Sequence, residues 1–199
     1  MEAQGKVSVG RVSSTFNVST FSRFCLLLSV LFGSASLYAQ DVVWASKVIS
    51  HTSQVSSSNY SASKVLGKPN APKDTATNAW QPNGSGKEES IIVAFDSPIK
   101  AKQILIVESM NTGYIRRVSA IDAHGMEYEV AHFPAKSGGK GPHLLRINVA
   151  DFNINISSVK VVMVPIKYVP ATIDAIGITM SDKPFMITKT HQVEMAEHQ

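Results

Sequence analysis

Residues 90–96 read Ser-Ile-Ile-Val-Ala-Phe-Asp, and their alternation has the period that recurs through most of the chain. Ile91, Val93 and Phe95 are two residues apart, so in an extended strand they share one face. Eight segments with this period, each bounded by Gly, Pro, Asn, Asp or Ser, predict eight strands. Their approximate ranges are 42–50, 90–96, 103–109, 114–122, 126–133, 143–149, 157–165 and 172–180. Short strands without long helices between them predict an all-β sandwich or jelly roll.

One helical signal lies between the first two predicted strands. Ser61 is available as an N-cap, Gly67 stands where a helix would end, and Pro69 follows it. This pattern predicts a helix of about two turns. The long connection 68–89 has the composition of a loop.

The first 39 residues have the composition of a secretory signal peptide. Lys6, Arg11 and Arg23 precede an apolar run at 24–32, and small residues follow as far as Ala39. The run is shorter than the roughly 20 residues that a membrane-spanning helix needs. We therefore expect cleavage after residue 39, a β-sandwich domain at 40–180 without a transmembrane span, and a flexible tail at 181–199. The predicted location is the periplasm, the outer membrane or the cell surface.

Composition excludes several classes of function. The single cysteine, Cys25, lies in the predicted leader, so the exported chain has no disulfide, thiolate metal site or cysteine nucleophile. The net charge of +4 falls to +2 without the leader, which gives no basic face for a nucleic acid. A cysteine-free exported domain is typical of a bacterial envelope protein.

No catalytic motif stands out in the sequence. It contains no Gly-x-Ser-x-Gly elbow, no His-Glu-x-x-His, no phosphate-binding loop and no dinucleotide fingerprint. The six histidines are scattered without metal-ligand spacing. We therefore predict that the protein is not an enzyme and holds no metal.

Six landmarks follow one another along the predicted domain. They read Trp-Ala-Ser-Lys-Val at 44–48, Tyr-Ser-Ala at 60–62 with Val-Leu-Gly-Lys-Pro-Asn at 65–70, Asn-Ala-Trp-Gln-Pro at 78–82, Ile-Val-Ala-Phe at 92–95 with Pro-Ile at 98–99, Glu-Ser at 108–109 with Asn-Thr-Gly at 111–113, and Ile-Asp-Ala-Ile at 173–176. In this order they resemble the galactose-binding-like, or discoidin-like, jelly-roll domain. The resemblance is to the domain at the N-terminus of outer-membrane-protein-A-like envelope proteins of gliding and related bacteria. Those proteins continue into β-propeller repeats and a peptidoglycan-binding domain, so cell-wall anchoring is not carried over.

The resemblance implies recognition of a glycan or cell-envelope component by loops at one end of the sandwich. A sugar suits an aromatic face and planar polar side chains. The candidate ligand-binding residues are Trp80, His51, Asn78, Asn111, Arg116 and Arg117. Three alternatives stay open: Trp80 fills the core, Asn111 belongs to a simple turn, and only one of the two arginines, which alternate on a strand, serves the site.

The resemblance also bears on cofactors and partners. Calcium-binding members commonly end the helical turn in an Asp-Gly pair, whereas this chain has Leu66-Gly67. We therefore expect no cofactor and leave calcium open. Asp174 is expected to bind backbone amides instead of a ligand. The alternative function is a structural or protein-interaction domain of an envelope complex with no small ligand, which includes a truncated form of a larger protein.

Overall fold

The computed structural model describes residues 42–70, 78–84, 86–135 and 139–184 of the 199-residue chain. All of them belong to one compact unit, Gln40–Gln199. The predicted signal peptide lies outside the described residues, as do 185–199 of the predicted tail. Across the described ranges, no helix has the length and hydropathy needed to cross a membrane.

The described residues contain nine strands in two antiparallel sheets. The strands are β1 (Val42–Trp44), β2 (Lys47–His51), β3 (Glu89–Ile99), β4 (Gln103–Met110), β5 (Ile115–Asp122), β6 (Glu127–His132), β7 (His143–Asn148), β8 (Ile156–Met163) and β9 (Thr172–Thr179). One sheet has the order β1-β9-β4-β7 and the other the order β2-β3-β8-β5-β6. Two short 3₁₀ helices, Ala62–Val65 and Ala150–Phe152, complete the described elements. The predicted all-β sandwich is confirmed.

One apolar core lies between the two sheets. β3 contributes Ile91, Val93 and Phe95, the alternating residues that predicted the strand, and β4 contributes Ile104 and Ile106 from the facing sheet. Burying one such side chain contributes about 1.5–3 kcal/mol relative to leaving it in water. The period of two in the sequence therefore reports which residues hold the sheets together.

The prediction of a single first strand at 42–50 is wrong. β1 pairs with β9 in the four-stranded sheet, whereas β2 pairs with β3 in the other sheet. The chain changes sheet at Ala45 and Ser46, where the Ala45 N–H donates to β9 and the Ser46 N–H donates to β3. Because Ala45 is small, it stays buried in the core at this crossing.

The predicted helix is shorter than expected. It forms one 3₁₀ turn, Ala62–Val65, and Ser61 makes no side-chain capping bond because its hydroxyl pairs with Ser63 Oγ at 2.9 Å. Gly67 has a φ of 80°, as a residue that follows a helix end often does. Its N–H donates to the Ala45 carbonyl at 2.9 Å, which turns the chain away from a second turn.

Four loops lie at the same end of the sandwich. The register pairs the start of β3 with the end of β8, and the end of β4 with the start of β9. The loops 52–88, 111–114, 133–142 and 164–171 therefore meet, and we call this region the loop end. The connections at the opposite end, at 100–102, 123–126 and 149–155, are shorter.

Trp80 closes the core beneath the loop end. Its side chain has no accessible surface, and its indole Nε1–H donates to the Ser53 carbonyl at 2.9 Å. Its backbone exchanges two hydrogen bonds with Ile173, of 2.8 and 3.0 Å. One residue thus joins the long loop 52–88 to the start of β9.

We predict that Trp80→Phe lowers the free energy of unfolding by about 1–3 kcal/mol, because the buried Ser53 carbonyl loses its donor and the core loses volume. Urea denaturation of both proteins measures the change. Tyr168→Ala, at an exposed loop position, serves as control and should stay within about 0.5 kcal/mol of the parent. Equal stability of Trp80→Phe and the parent would contradict the assigned role.

Candidate functional site

A groove of about 480 Å³ opens at the loop end. Residues 81–84 form one wall and residues 165–171 form the other, with Val55 beside them. The Gly86 N–H donates to the Pro165 carbonyl at 2.7 Å, so a backbone hydrogen bond joins the two loops. The groove therefore lies between loops that the fold itself fixes.

The first wall is held from below by the buried carboxylate of Glu89. Its Oε2 accepts hydrogen bonds from Thr52 Oγ1 and, at 2.7 Å, from Ser53 Oγ. Ser53 Oγ in turn accepts the Asn83 N–H at 2.9 Å. A Cβ on Gly84 would fall 1.7 Å from Glu89 Oε1, so only glycine fits against this carboxylate. The wall is thus positioned by a hydrogen-bond network that includes a charged acceptor.

The second wall carries an exposed aromatic ring. Tyr168 is 89% exposed and has a φ of 65°, a conformation that costs energy for a bulky residue. The Val169 N–H donates to the Ile166 carbonyl at 3.1 Å, which closes a tight turn around it. Lys167 Nζ lies 4.8 Å from the centre of the Tyr168 ring. The turn therefore projects an aromatic face beside a cation at the rim of the groove.

Asn111 ties the neighbouring loop to this second wall. Its Nδ2 donates to the Pro170 carbonyl at 2.7 Å, and its φ of 42° is one that Asn tolerates better than most residues. Asn111 therefore belongs to a turn, as the alternative interpretation of the sequence had it, and that turn supports the groove.

Glu108 and His143 form a buried pair next to the same loop. Glu108 Oε2 lies 3.0 Å from His143 Nδ1, and its Oε1 accepts the Gly113 N–H at 3.3 Å. Burial raises the pKa of Glu108, although the hydrogen bond and charge of His143 oppose that shift. The Gly113 carbonyl accepts a 2.8 Å bond from Arg116 Nη1. These side chains fix loop 111–114.

Two of the predicted site residues, Asn111 and Arg116, come together in this region. Arg116 lies at a register shift between Ile115 and Arg117 in the pairing of β5 with β8. Because of that irregularity, a simple alternation of the two arginines does not hold. Arg117 instead bonds Glu88 through Nη2 at 2.8 Å.

The other three predicted residues lie elsewhere. Trp80 is fully buried, so in this structure its ring offers no face to a ligand, and the core alternative describes its position. His51 lines a second, open hollow of about 680 Å³ on β2 and the 3₁₀ helix Ala62–Val65. Asn78 is exposed where the described residues resume after residue 77.

Sequence reasoning missed Tyr168 and the amide residues Gln81 and Asn83, which line the groove. A signal for Tyr168 was present, because Pro165-Ile166-Lys167-Tyr168-Val169-Pro170 places an aromatic residue between two prolines outside any strand. An aromatic residue in such a segment has little chance of reaching the core.

Asp174 is a second buried carboxyl group. Its Oδ2 accepts the Asn70 N–H at 3.0 Å, as expected for a carboxyl that binds backbone amides, while Oδ1 has no hydrogen-bond partner within the described part of the chain. Burial raises the pKa of Asp174 to about 6, and the bond from Asn70 opposes that shift.

The structure also bears on metal binding. No group of three or more His, Cys, Asp or Glu side chains among the described residues is placed to hold a metal ion. Calcium requires about six to eight oxygen ligands. The described residues around Asp174 therefore do not form a calcium site by themselves, and whether the protein needs calcium stays a prediction.

Comparison with known proteins identifies the fold. CpGH89CBM32-4 of Clostridium perfringens, in complex with glcNAc-alpha-1,4-galactose, is 11% identical with a TM-score of 0.54, over 73% of this chain and 99% of that one. The family 32 CBM of C. perfringens NanJ, in complex with galactose, is 18% identical with a TM-score of 0.50, over 69% and 98%. The fold is the galactose-binding-like jelly roll.

A third solved structure shares this fold with a different description. The N-terminal domain of the single-strand break repair protein XRCC1 is 15% identical with a TM-score of 0.51, over 70% of this chain and 99% of that one. No protein-family model and no curated protein matches the sequence. At these identities the likeness shows the fold alone, and the function has to be argued from the groove.

We predict that Asp174→Asn changes how stability depends on pH. Because the folded state raises the pKa of Asp174 to about 6, the folded protein binds this proton more tightly than the unfolded chain, and the group's contribution to stability is lost as pH rises from about 4 to about 6. The variant lacks this loss. Relative to the parent it should therefore gain on the order of 3 kcal/mol between pH 4 and pH 7.

Urea titrations at several pH values, with a chelator present, measure this difference. The chelator matters because a bound divalent cation would itself favour the charged carboxylate. Parallel pH profiles for the two proteins would show that Asp174 is not perturbed by burial.

Proposed function

We propose that this protein is an exported, non-catalytic binding module that recognises a glycan or cell-envelope component in the groove between residues 81–84 and 165–171. The observation that carries the proposal is the exposed ring of Tyr168 at the rim of the groove. An aromatic ring left in water on a strained turn is costly unless it contacts something. The apolar face of a pyranose ring, which carries C–H groups, is a suitable partner.

The first wall supplies groups for the hydroxyls of a sugar. Gln81 and Asn83 present side-chain amides, each of which has donors and an acceptor in one plane. Lys167 is the one charged side chain among the described lining residues. An aromatic surface opposite neutral amides suits a polar, mostly uncharged ligand such as a glycan.

The solved structures support the same proposal. Two proteins with this fold are described in complex with glcNAc-alpha-1,4-galactose and with galactose. Because this chain has a groove with an aromatic rim at its loop end, glycan binding is the function that its surface favours. The shallow site suggests a dissociation constant between about 1 µM and 1 mM.

The lining of the groove supports binding without catalysis. Its described residues include no carboxylate, histidine, cysteine or serine side chain. The nearby acids Glu89 and Glu108 are buried and hydrogen-bonded to loop residues, so they act as supports. Glycoside hydrolysis needs two carboxyl groups on either side of the bond that breaks.

The proposal includes export, which rests on the leader-like composition of residues 1–39. It assigns the protein to the periplasm, the outer membrane or the cell surface, where envelope glycans and other envelope proteins are its partners. It requires no cofactor, and calcium is a variable of the experiment.

We predict that Tyr168→Ala weakens glycan binding at least about tenfold, because the sugar loses its aromatic contact. The experiment applies the purified protein to an array of glycans and peptidoglycan fragments, with and without calcium, and follows each hit by calorimetry. Phe152→Ala is the matched control, because Phe152 is an exposed aromatic residue at the opposite end of the sandwich. That variant should bind like the parent.

Two outcomes would overturn the proposal. Binding that survives in Tyr168→Ala and disappears in another loop variant would place the ligand elsewhere. Silence across the whole array would favour the alternative, a structural or protein-interaction domain of an envelope complex. Thermal unfolding of each variant establishes that a loss of binding is not a loss of fold.

A further inference from the structure

The outer face of the four-stranded sheet is apolar at its centre. Ile104 and Ile106 of β4 point into the core, so Leu105 and Val107 between them point outward. The register places Gly177 and Ala175 of β9 beside these two residues on the same outer face. The middle of this face therefore lacks the polar residues that an antiparallel sheet usually presents to water.

The neighbouring strands extend the apolar surface. Leu144 of β7 pairs with Val107, and Trp44 of β1 pairs with Gly177. A Cβ on Gly177 would lie 2.7 Å from both Trp44 Cε3 and Val42 Cγ1, so these side chains cover the glycine. We call this surface the outer apolar face; its residues are Trp44, Leu105, Val107, Leu144, Ala175 and Gly177.

The central residues of the outer apolar face are hidden from water. Leu105 and Ala175 have no accessible surface, and Val107 is 2% exposed. Side chains that project outward from the central strands of a sheet become this buried only when chain from outside the sheet lies over them. Trp44 and Val42 account for the β9 edge of the face.

The chain that follows β9 is directed onto the same face. Gln103 is the outward-facing residue that precedes Leu105 by two positions, and its Nε2 donates to the Ser181 carbonyl at 2.8 Å and to the Lys183 carbonyl at 2.9 Å. Lys102 Nζ also bonds Asp182 Oδ2 at 3.2 Å. Residues 181–183 are thereby held against the start of β4.

We propose that residues 185–187, Phe-Met-Ile, dock on the outer apolar face, with Phe185 and Ile187 toward Leu105 and Val107. Two residues of extended chain advance about 7 Å, which is also the spacing of Leu105 and Val107 along β4. The segment starts two residues after Lys183, where Gln103 holds the chain. Thr188, Lys189 and Thr190 follow, so the apolar segment ends where the outer apolar face does.

The test uses one new cysteine as a reporter. Cys25→Ser removes the natural thiol, and Val107→Cys then places a thiol on the outer apolar face of the full chain. We expect Val107→Cys to react with a thiol reagent at least about tenfold more slowly than Met126→Cys at an exposed position, and about tenfold faster once residues 185–199 are removed. Ile106→Cys, which faces the core, should stay slow in both chains.

Point variants of the full chain keep the test valid if the shortened chain folds poorly. Phe185→Asp and Ile187→Asp should each speed the labelling of Val107→Cys, whereas Met186→Asp, on the other side of the same segment, should not. Rapid labelling in the parent chain, or equal effects of all three variants, would overturn the proposal. Slow labelling that persists in monomeric, folded chain without residues 185–199 would do the same.

Discussion

The hydrogen bond from the Trp80 indole to the Ser53 carbonyl is the contact on which the loop end depends. The buried ring completes the core between the sheets, and the backbone of the same residue pairs with Ile173 at the start of β9. Loop 52–88 is long, and a long loop without such an anchor would lose its order to conformational entropy. The burial of one apolar side chain therefore orders the segment that forms a wall of the groove.

Order passes from this anchor to the groove through polar groups. Ser53 accepts the Trp80 donor with its carbonyl and bonds both Glu89 and Asn83 with its hydroxyl. A buried carboxylate needs several donors to offset its desolvation, and loop 52–88 supplies them. The requirement to satisfy Glu89 and the requirement to shape the groove are thus met by the same hydrogen bonds. The apolar core and the candidate site are physically coupled.

The sequence predicted the fold better than the site because the two depend on different kinds of information. Alternation in residues 90–96 follows directly from the pleat of a strand, so β3 was found from local pattern. The split at Ala45 was missed because a strand that crosses between sheets keeps its alternation, while its partners are set by β9 and β3. Trp80 is an aromatic residue in a loop by sequence, and only its contacts with Ser53 and Ile173 place it in the core.

The contrast between Trp80 and Tyr168 also decides what the fold can say about function. The same jelly roll occurs in modules described with sugars and in a domain of a DNA-repair protein, so the architecture does not choose the ligand. Both aromatic residues lie near the loop end, but one is spent on stability and the other is left in water. Since a buried ring cannot contact a ligand and an exposed one gains by doing so, the argument for glycan recognition depends on Tyr168 and the turn that holds it. That turn is attached to the sandwich through Asn111 and Gly86, which means that the groove can keep its shape while its lining residues vary.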